Sequence, residues 1–223
     1  MPQSLDITFI GHACLLLQCD NQRLLTDPYS PEIGYAPVDQ TVDVVTLSHE
    51  NLKYHSCLAD VRAQTVVRGL EHLGETVESG PFKISFVEVF EELPDDGPNA
   101  MTLIEVAGLR ILHMGDCGHL PTPEQIKSCG KIDVLLALAG AGPTLDLPDL
   151  MKFVAAIEPQ IVIPMHFGLP GLDSRFAPVG ELEKLWTGEI VRQSSSCQIG
   201  REALPEAPQL WVLEPLRWEN VRG

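Results

Sequence analysis

Residues 44–56 read VVTLSHENLKYHS, an apolar strand-like run that leads directly into Ser48 and His49. Short apolar runs of this kind are typical of buried strands. Two later segments have the same design, since residues 109–120 read LRILHMGDCGHL and residues 161–168 read IVIPMHFG. In α/β proteins, the loops beyond strand ends gather functional groups at one edge of a sheet. We therefore predict that these three strand ends meet in one polar site.

The side chains at these strand ends are of types that bind metals. His49 and His166 supply imidazoles and Asp116 supplies a carboxylate, a set that suits zinc, iron or manganese. A single histidine after a strand is more often a surface residue or a hydrogen-bonded one. The set of three indicates a metal site better than any one member does.

The remaining apolar pattern predicts an α/β domain. Strand-like runs cover residues 5–10, 13–18, 23–26, 42–47, 82–89, 101–106, 109–113, 133–139, 160–164 and 210–213, the last as an edge strand. Helical spacing covers residues 123–128, 146–157 and 178–186. Hairpins followed by alternating strands and helices are typical of a mixed sheet. We expect residues 1–223 to form one domain, with residues 91–99 as its clearest loop.

Four segments in this order resemble the metallo-β-lactamase superfamily. They are ITFIGHACLLLQCDNQRLLTDPYS at residues 7–30 and the runs at residues 44–56, 109–120 and 161–168. The order is more closely similar to a branch of small metal-dependent hydrolases that includes the ascorbate-phosphate lactonases. This resemblance implies a four-layer αββα sandwich with metals at the edge of the two sheets. It also implies metal-dependent hydrolysis.

The resemblance implies a metal motif, S-H-x-H-x-D-H, that this chain keeps only in part. Ser48 and His49 match its first two positions. Asn51 stands at the second histidine, Lys53 at the aspartate and Tyr54 at the third histidine. The altered positions therefore remove several of the implied ligands.

Other implied site residues are retained or uncertain. Glu91, or a residue next to it, replaces a histidine expected after the strand at residues 82–89. Asp116 matches the bridging carboxylate, and His166 matches a ligand of the second metal. The resemblance implies that Asp27 contacts the metal-binding residues and does not bind the metal itself.

Two complete metal sites cannot be built from these residues, because a catalytic zinc typically needs three protein ligands. We predict at most one divalent metal, zinc or manganese, held by His49, Asp116 and His166. A site without metal is the alternative. Whether Glu91, His55 or Tyr54 replaces a lost ligand stays open, and His55 could do so if the loop slips by one residue.

The predicted catalytic group consists of Asp116, His119, His12 and Lys53. We expect Lys53 to stand in for the second metal by pairing with Asp116 or Asp27, whereas a solvent-facing lysine is the alternative. His12 and His119 are expected to position substrate or transfer protons, and loop-fixing hydrogen bonds are the alternative. His113 and Cys117 are expected to be structural.

Composition limits the partners. Acidic residues outnumber basic ones by 31 to 15, giving a formal net charge of −16, which argues against nucleic acid and against an anionic membrane surface. Six cysteines without a C-x-x-C spacing, and a start without a secretory signal, predict free thiols in the cytoplasm. We expect a small-molecule substrate, and a homo-oligomer is compatible with the sequence.

These observations leave two functional hypotheses. The first is a metal-dependent hydrolase that acts on an ester, a lactone or a phosphoester. The second is a catalytically inactive, metal-free relative that serves as a binding or scaffold module, since fold does not imply function. Metal-free acid–base catalysis by Lys53 and Glu91 is a third option without positive support.

Overall fold

Residues 4–91, 97–142, 144–172 and 175–216 are described by a computed structural model. The strands are β1 Ser4–Gly11, β2 Cys14–Cys19, β3 Gln22–Thr26, β4 Gln40–Leu47, β5 Val61–Arg68, β6 Thr76–Ser79, β7 Phe82–Phe90, β8 Pro98–Val106, β9 Leu109–His113, β10 Val134–Leu138, β11 Ile161–Met165, β12 Glu189–Gln193, β13 Ser196–Gly200 and β14 Gln209–Leu213. The helices are α1 Pro123–Cys129, α2 Leu147–Ile157 and α3 Val179–Leu185.

The strands form two mixed sheets. The first sheet has the order β13-β1-β2-β3-β4-β5, and the second has the order β12-β14-β11-β10-β9-β8-β7-β6. Strands β3, β4 and β5 are parallel to one another, as are β9, β10 and β11. The carboxyl ends of neighbouring parallel strands therefore collect at one edge in each sheet.

The main core lies between the sheets and extends under the helices. It includes Phe9 of the first sheet, Phe82 of the second and Phe153 of α2. A second apolar cluster covers the other face of the first sheet, where Tyr29 and Tyr35 pack against strand residues. Among the described residues, this covering layer is built from loops and a short 3-10 helix rather than from α-helices.

The predicted fold class is confirmed, with corrections to single elements. Thr122 caps α1 in a reciprocal capping box with Gln125, and Asp146 caps α2. The predicted last helix is shorter than expected, since α3 covers only Val179–Leu185. The strand at residues 210–213 is not an edge strand, because β12 pairs outside it.

Other expectations concern the loops, the thiols and the membrane. The predicted loop at residues 91–99 lies mostly outside the described residues, which omit 92–96. All six cysteines are free thiols, as predicted. Within the described ranges, no helix is long and apolar enough to cross a membrane.

His113 joins the two sheets through a buried imidazole. Its Nε2–H donates to the Ala13 carbonyl at 2.8 Å, and its Nδ1 accepts the Gly115 amide proton at 3.0 Å. Acceptance at Nδ1 requires the neutral ring, and burial lowers the pKa of His113 from the ordinary 6.5. The expected structural role of His113 agrees with these contacts.

We expect His113→Leu to destabilise the fold by about 1–3 kcal/mol, because the buried Gly115 amide loses its partner and the Ala13 carbonyl keeps only the Thr26 hydroxyl. Chemical unfolding monitored by circular dichroism measures the difference. The loss should shrink as the pH falls below 6.5, because the wild-type imidazole binds a proton more readily when unfolded. His72→Leu, at a partly exposed histidine, is the control, and an equal effect there would contradict the assignment.

Candidate metal centre

The three predicted strand ends meet where the edges of the two sheets face each other. His49 follows β4, Asp116 follows β9 and His166 follows β11. His166 Nε2 lies 3.1 Å from Asp116 Oδ1. The sheets are in direct contact here, since the Ala100 amide donates to the Ser48 carbonyl at 3.1 Å.

Gly115 makes this close approach of the sheets feasible. Its φ is +59°, and a Cβ there would lie 2.7 Å from Asn99 Oδ1 and 2.9 Å from Ser48 Cβ. A side chain would therefore push the two loops apart and move the adjacent Asp116.

The loop at residues 51–56 delivers a histidine to the site. The Asn51 carbonyl accepts the backbone amides of Tyr54, His55 and Ser56, and the Ser56 hydroxyl accepts the Asn51 amide at 3.0 Å. Asn51, at the position of an implied ligand, thus organises a tight turn. The turn directs His55 inward, one residue later than the motif predicts.

His55 lies between two carboxylates and is fully buried. Its Nδ1 is 3.2 Å from Asp27 Oδ2, and its Nε2 is 3.1 Å from Asp116 Oδ2. Burial alone would lower the pKa of His55, but Asp116 and Asp27 outweigh it and raise the pKa to about 10. Without a metal, the ring therefore carries a positive charge that offsets both carboxylates.

Asp27 and Ser48 set the orientation of two imidazoles. The Ser48 hydroxyl donates to Asp27 Oδ2 at 2.6 Å, so its oxygen is left to accept Nδ1–H of His49 at 3.0 Å. Asp27 also holds Nδ1 of His55. In both rings, Nε2 is therefore the nitrogen available to a metal, as in carboxylate–histidine–metal arrangements.

We expect Asp27→Asn to weaken metal binding by about 10–100-fold, the effect typical of removing a carboxylate that supports a histidine ligand. The new amide would present a donor or a weaker acceptor to His55 Nδ1. Metal titration against a chromophoric chelator measures the affinity. The exposed Asp60→Asn is the control, and wild-type affinity in Asp27→Asn would contradict this role.

Two groups of side chains place their ligand atoms within 4.8 Å of one another. One is His12, His55 and His166, and the other is His49, His55 and Asp116. Nε2 of His12, Nε2 of His49 and Nδ1 of His166 are buried without a hydrogen-bond partner among the described residues, whereas His55 Nε2 and Asp116 Oδ1 face partners at 3.1 Å. Unsatisfied buried polar atoms are costly, so a cation fits this donor set.

His12 and His166 are held close together in unusual backbone conformations. Their φ angles are +54° and +57°, and the His166 amide donates to the His12 carbonyl at 2.7 Å. Their ring centroids are 4.0 Å apart. Burial and the neighbouring histidines His166 and His55 keep the pKa of His12 well below its ordinary value. Strained residues of this kind cluster at functional sites.

The predicted ligands are divided between the two groups, since His49 and Asp116 belong to one and His166 to the other. Both groups of ligand atoms require His55, which the sequence-based set omitted. The sequence did offer one indication of this role, because His55 comes directly after the last motif position. The turn around Asn51 is what directs its side chain inward. Glu91 does approach the site, with Oε1 3.6 Å from His49 Nε2.

The predicted pairing of Lys53 with Asp116 or Asp27 is wrong. Lys53 is exposed, and its ammonium lies 5.1 Å from the centre of the Tyr54 ring. His55 occupies the position between the two carboxylates instead. The turn that brings His55 inward leaves Lys53 on the outside of the loop.

His119 belongs to neither group of ligand atoms, and its contacts fit the alternative of a histidine that fixes a loop. Its Nδ1–H donates to the Leu120 carbonyl at 3.1 Å, and its Nε2 accepts the Phe90 amide at 3.2 Å. It therefore fixes the end of β7, next to Glu91. Cys117 is buried, and burial raises its pKa to about 12, so it is a neutral thiol.

A cavity of about 350 Å³ adjoins the metal-binding side chains. His12 forms part of its wall, so the cavity reaches the site. Other lining residues are Glu32, Tyr35, Lys53, Tyr54, Phe167 and Phe176. Aromatic walls with a few polar groups are typical of small-molecule sites.

The chain matches the model of the beta-lactamase superfamily domain over residues 6–166. A UPF0173 metal-dependent hydrolase from Carboxydothermus hydrogenoformans is 26% identical over 189 residues, covering 72% of this chain and 84% of the relative. A UPF0173 protein from Pyrococcus furiosus is 28% identical, with coverages of 73% and 83%.

Solved structures show the same fold. A proposed Zn-dependent hydrolase of the metallo-beta-lactamase superfamily from Thermotoga maritima has a TM-score of 0.78 at 29% identity and covers 94% of this chain and 98% of its own. A metallo hydrolase from Ignicoccus hospitalis has a TM-score of 0.66 at 16% identity, with coverages of 88% and 98%.

Proposed function

The chain belongs to the metallo-β-lactamase superfamily, and on that premise we propose that it is a hydrolase using one divalent metal ion, zinc or manganese. Its substrate would be a small molecule with an ester, lactone or phosphoester bond. The observation that carries the proposal is the convergence of four buried imidazoles and Asp116, several of whose ligand atoms lack partners.

The single lone pair of His55 supports one ion rather than two. Asp27 engages Nδ1 of this ring, so only Nε2 remains. Both groups of ligand atoms include His55, and one nitrogen cannot bind two ions. A second ion would have no imidazole from His55 and would reach the three protein ligands typical of a catalytic zinc only by sharing Asp116 with the first ion.

When bound, the ion would polarise the scissile group and acidify a water molecule. The protein's own side chains would do the rest. Glu91 is partly exposed, and its Oε1 lies 3.6 Å from Nε2 of the buried His49, so this carboxylate would take up a proton beside the site. The aromatic cavity beside His12 would hold the substrate and exclude water from it.

Metal analysis tests the proposal. Protein purified without chelator should hold about one equivalent of zinc or manganese by inductively coupled plasma mass spectrometry. It should hydrolyse at least one compound in a panel of esters, lactones and phosphoesters, lose that activity to a chelator and regain it with metal. Failure to bind zinc, manganese or iron at micromolar concentrations would overturn it.

The altered motif favours one alternative, a metal-free binding module. Asn51 serves as a turn former and the Lys53 ammonium lies 5.1 Å from the centre of the Tyr54 ring, so two implied ligand positions have other uses. This alternative predicts that small molecules bind in the cavity without turnover and without metal. The metal analysis separates it from the hydrolase.

Lys53 is placed to contact an anionic part of the substrate, because it lines the cavity outside the metal-binding groups. We expect Lys53→Ala to raise KM for an anionic substrate on the order of tenfold, the contribution of a charged hydrogen bond, with little change in kcat. Steady-state kinetics checks this, with Lys152→Ala on α2 as the control. The same change with a neutral substrate would contradict it.

A further inference from the structure

We propose that the ion is bound by His12, His55 and His166, with Asp116 beside them, so that His12 replaces a ligand lost from the altered motif. This inference rests on the proposed function. It assigns a metal-binding role to a histidine that precedes the motif by many residues and that sequence reasoning placed among the substrate-positioning groups.

The first support is burial. His12 and His166 are 2% exposed and His55 is fully buried. His12 Nε2 and His166 Nδ1 have no partner among the described residues, and His55 Nε2 faces Asp116 Oδ2 at 3.1 Å. Three imidazoles packed this closely gain little from one another unless a cation satisfies them, because all of them present lone pairs or compete for the same protons.

The second support is the backbone. Both His12 and His166 adopt left-handed conformations, which only a few per cent of residues other than glycine adopt, although histidine does so more often than most. The bond from the His166 amide to the His12 carbonyl joins these two residues across the sheets. The conformations bring the two rings within 4.0 Å between centroids.

The third support is a comparison of what each placement leaves unpaired. An ion at His49, His55 and Asp116 leaves His12 Nε2 and His166 Nδ1 buried without partners. An ion at His12, His55 and His166 leaves one unpaired nitrogen, His49 Nε2, which lies 3.6 Å from Glu91 Oε1. Since each unsatisfied buried group costs about 1–3 kcal/mol, the second placement is favoured.

Asp116 fits the same placement. Its two oxygens lie 3.1 Å from His55 Nε2 and 3.1 Å from His166 Nε2. The carboxylate would thus add negative charge beside three neutral imidazoles, a combination that suits zinc.

A matched pair of variants, His12→Asn and His49→Asn, tests the assignment. Asparagine tolerates the positive φ of residue 12, so the loop should keep its conformation. Zinc affinity by competition with a chromophoric chelator should fall about 100-fold or more in His12→Asn, beyond the usual loss for a residue that only supports a ligand. His49→Asn should stay within about threefold of wild type, and cobalt absorption spectra should change only in His12→Asn.

Circular dichroism of the metal-free variants controls for folding. Unchanged affinity in His12→Asn, or equal losses in both variants, would overturn the assignment while the wild-type protein still binds one ion. A wild-type protein that binds no metal would instead overturn the proposed hydrolase. If His12→Asn is misfolded, His12→Gln with the same affinity measurement decides between these outcomes.

Discussion

His55→Ala is expected to leave the purified protein without bound metal and without hydrolytic activity. His55 is the member shared by both groups of ligand atoms, so its removal eliminates either placement of the ion. We expect kcat to fall by about a thousandfold or more, since general acid–base or metal-assisted steps of this size depend on the intact site. Metal content and turnover are measured on the same preparation.

The same substitution should also destabilise the metal-free protein. His55 carries the positive charge that offsets Asp27 and Asp116, and removing one partner of a buried ion pair costs about 3–5 kcal/mol. Urea unfolding in the presence of a chelator reports this loss. His72→Ala is the control, and wild-type metal content in His55→Ala would refute both the one-ion proposal and the assignment of ligands.

Asp116→Asn is expected to have the second-largest effect. The substitution keeps the size of the side chain but removes the charge that faces His55 and His166. Metal affinity should fall by at least the roughly 100-fold upper range for residues that support ligands, and activity should fall with it. Isothermal titration with zinc measures the affinity.

Asp60→Asn, at an exposed carboxylate, is the control for Asp116→Asn. Both variants replace an aspartate by an asparagine. A difference in metal affinity or activity between them is therefore due to the location of the aspartate. Retention of metal with loss of activity would show that Asp116 acts on substrate or water rather than on the ion. Retention of both would remove Asp116 from the site.

The sequence could predict the strand ends because each combines an apolar run with a polar terminus. Strand β11 is wholly buried, β9 is nearly so, and β4 is buried over its last four residues, so their apolar pattern at the strand ends is unambiguous. Strands β5 and β12 were missed because charged and polar residues, such as Arg62 and Arg192, interrupt them and much of their surface is exposed. Strand pairing rather than local composition determines those elements.

The sequence predicts the site residues that follow strands better than those in the loop at residues 51–56. Counting along the motif places Tyr54 at the third histidine, whereas hydrogen bonds to Asn51 shift the inward position to His55. Likewise, the exposure of Lys53 depends on the path of this turn. Loop geometry is set by backbone hydrogen bonds that a residue-by-residue comparison does not contain.

The members of the site are spread from His12 to His166, and the two sheets contribute them from opposite halves of the polypeptide. A nascent chain that ends before residue 166 cannot assemble the site at any concentration of metal. Acquisition of the ion must therefore follow synthesis of most of the protein. Once bound, the ion would link side chains from the two halves of the chain. Its removal would therefore destabilise the contact between the two sheets.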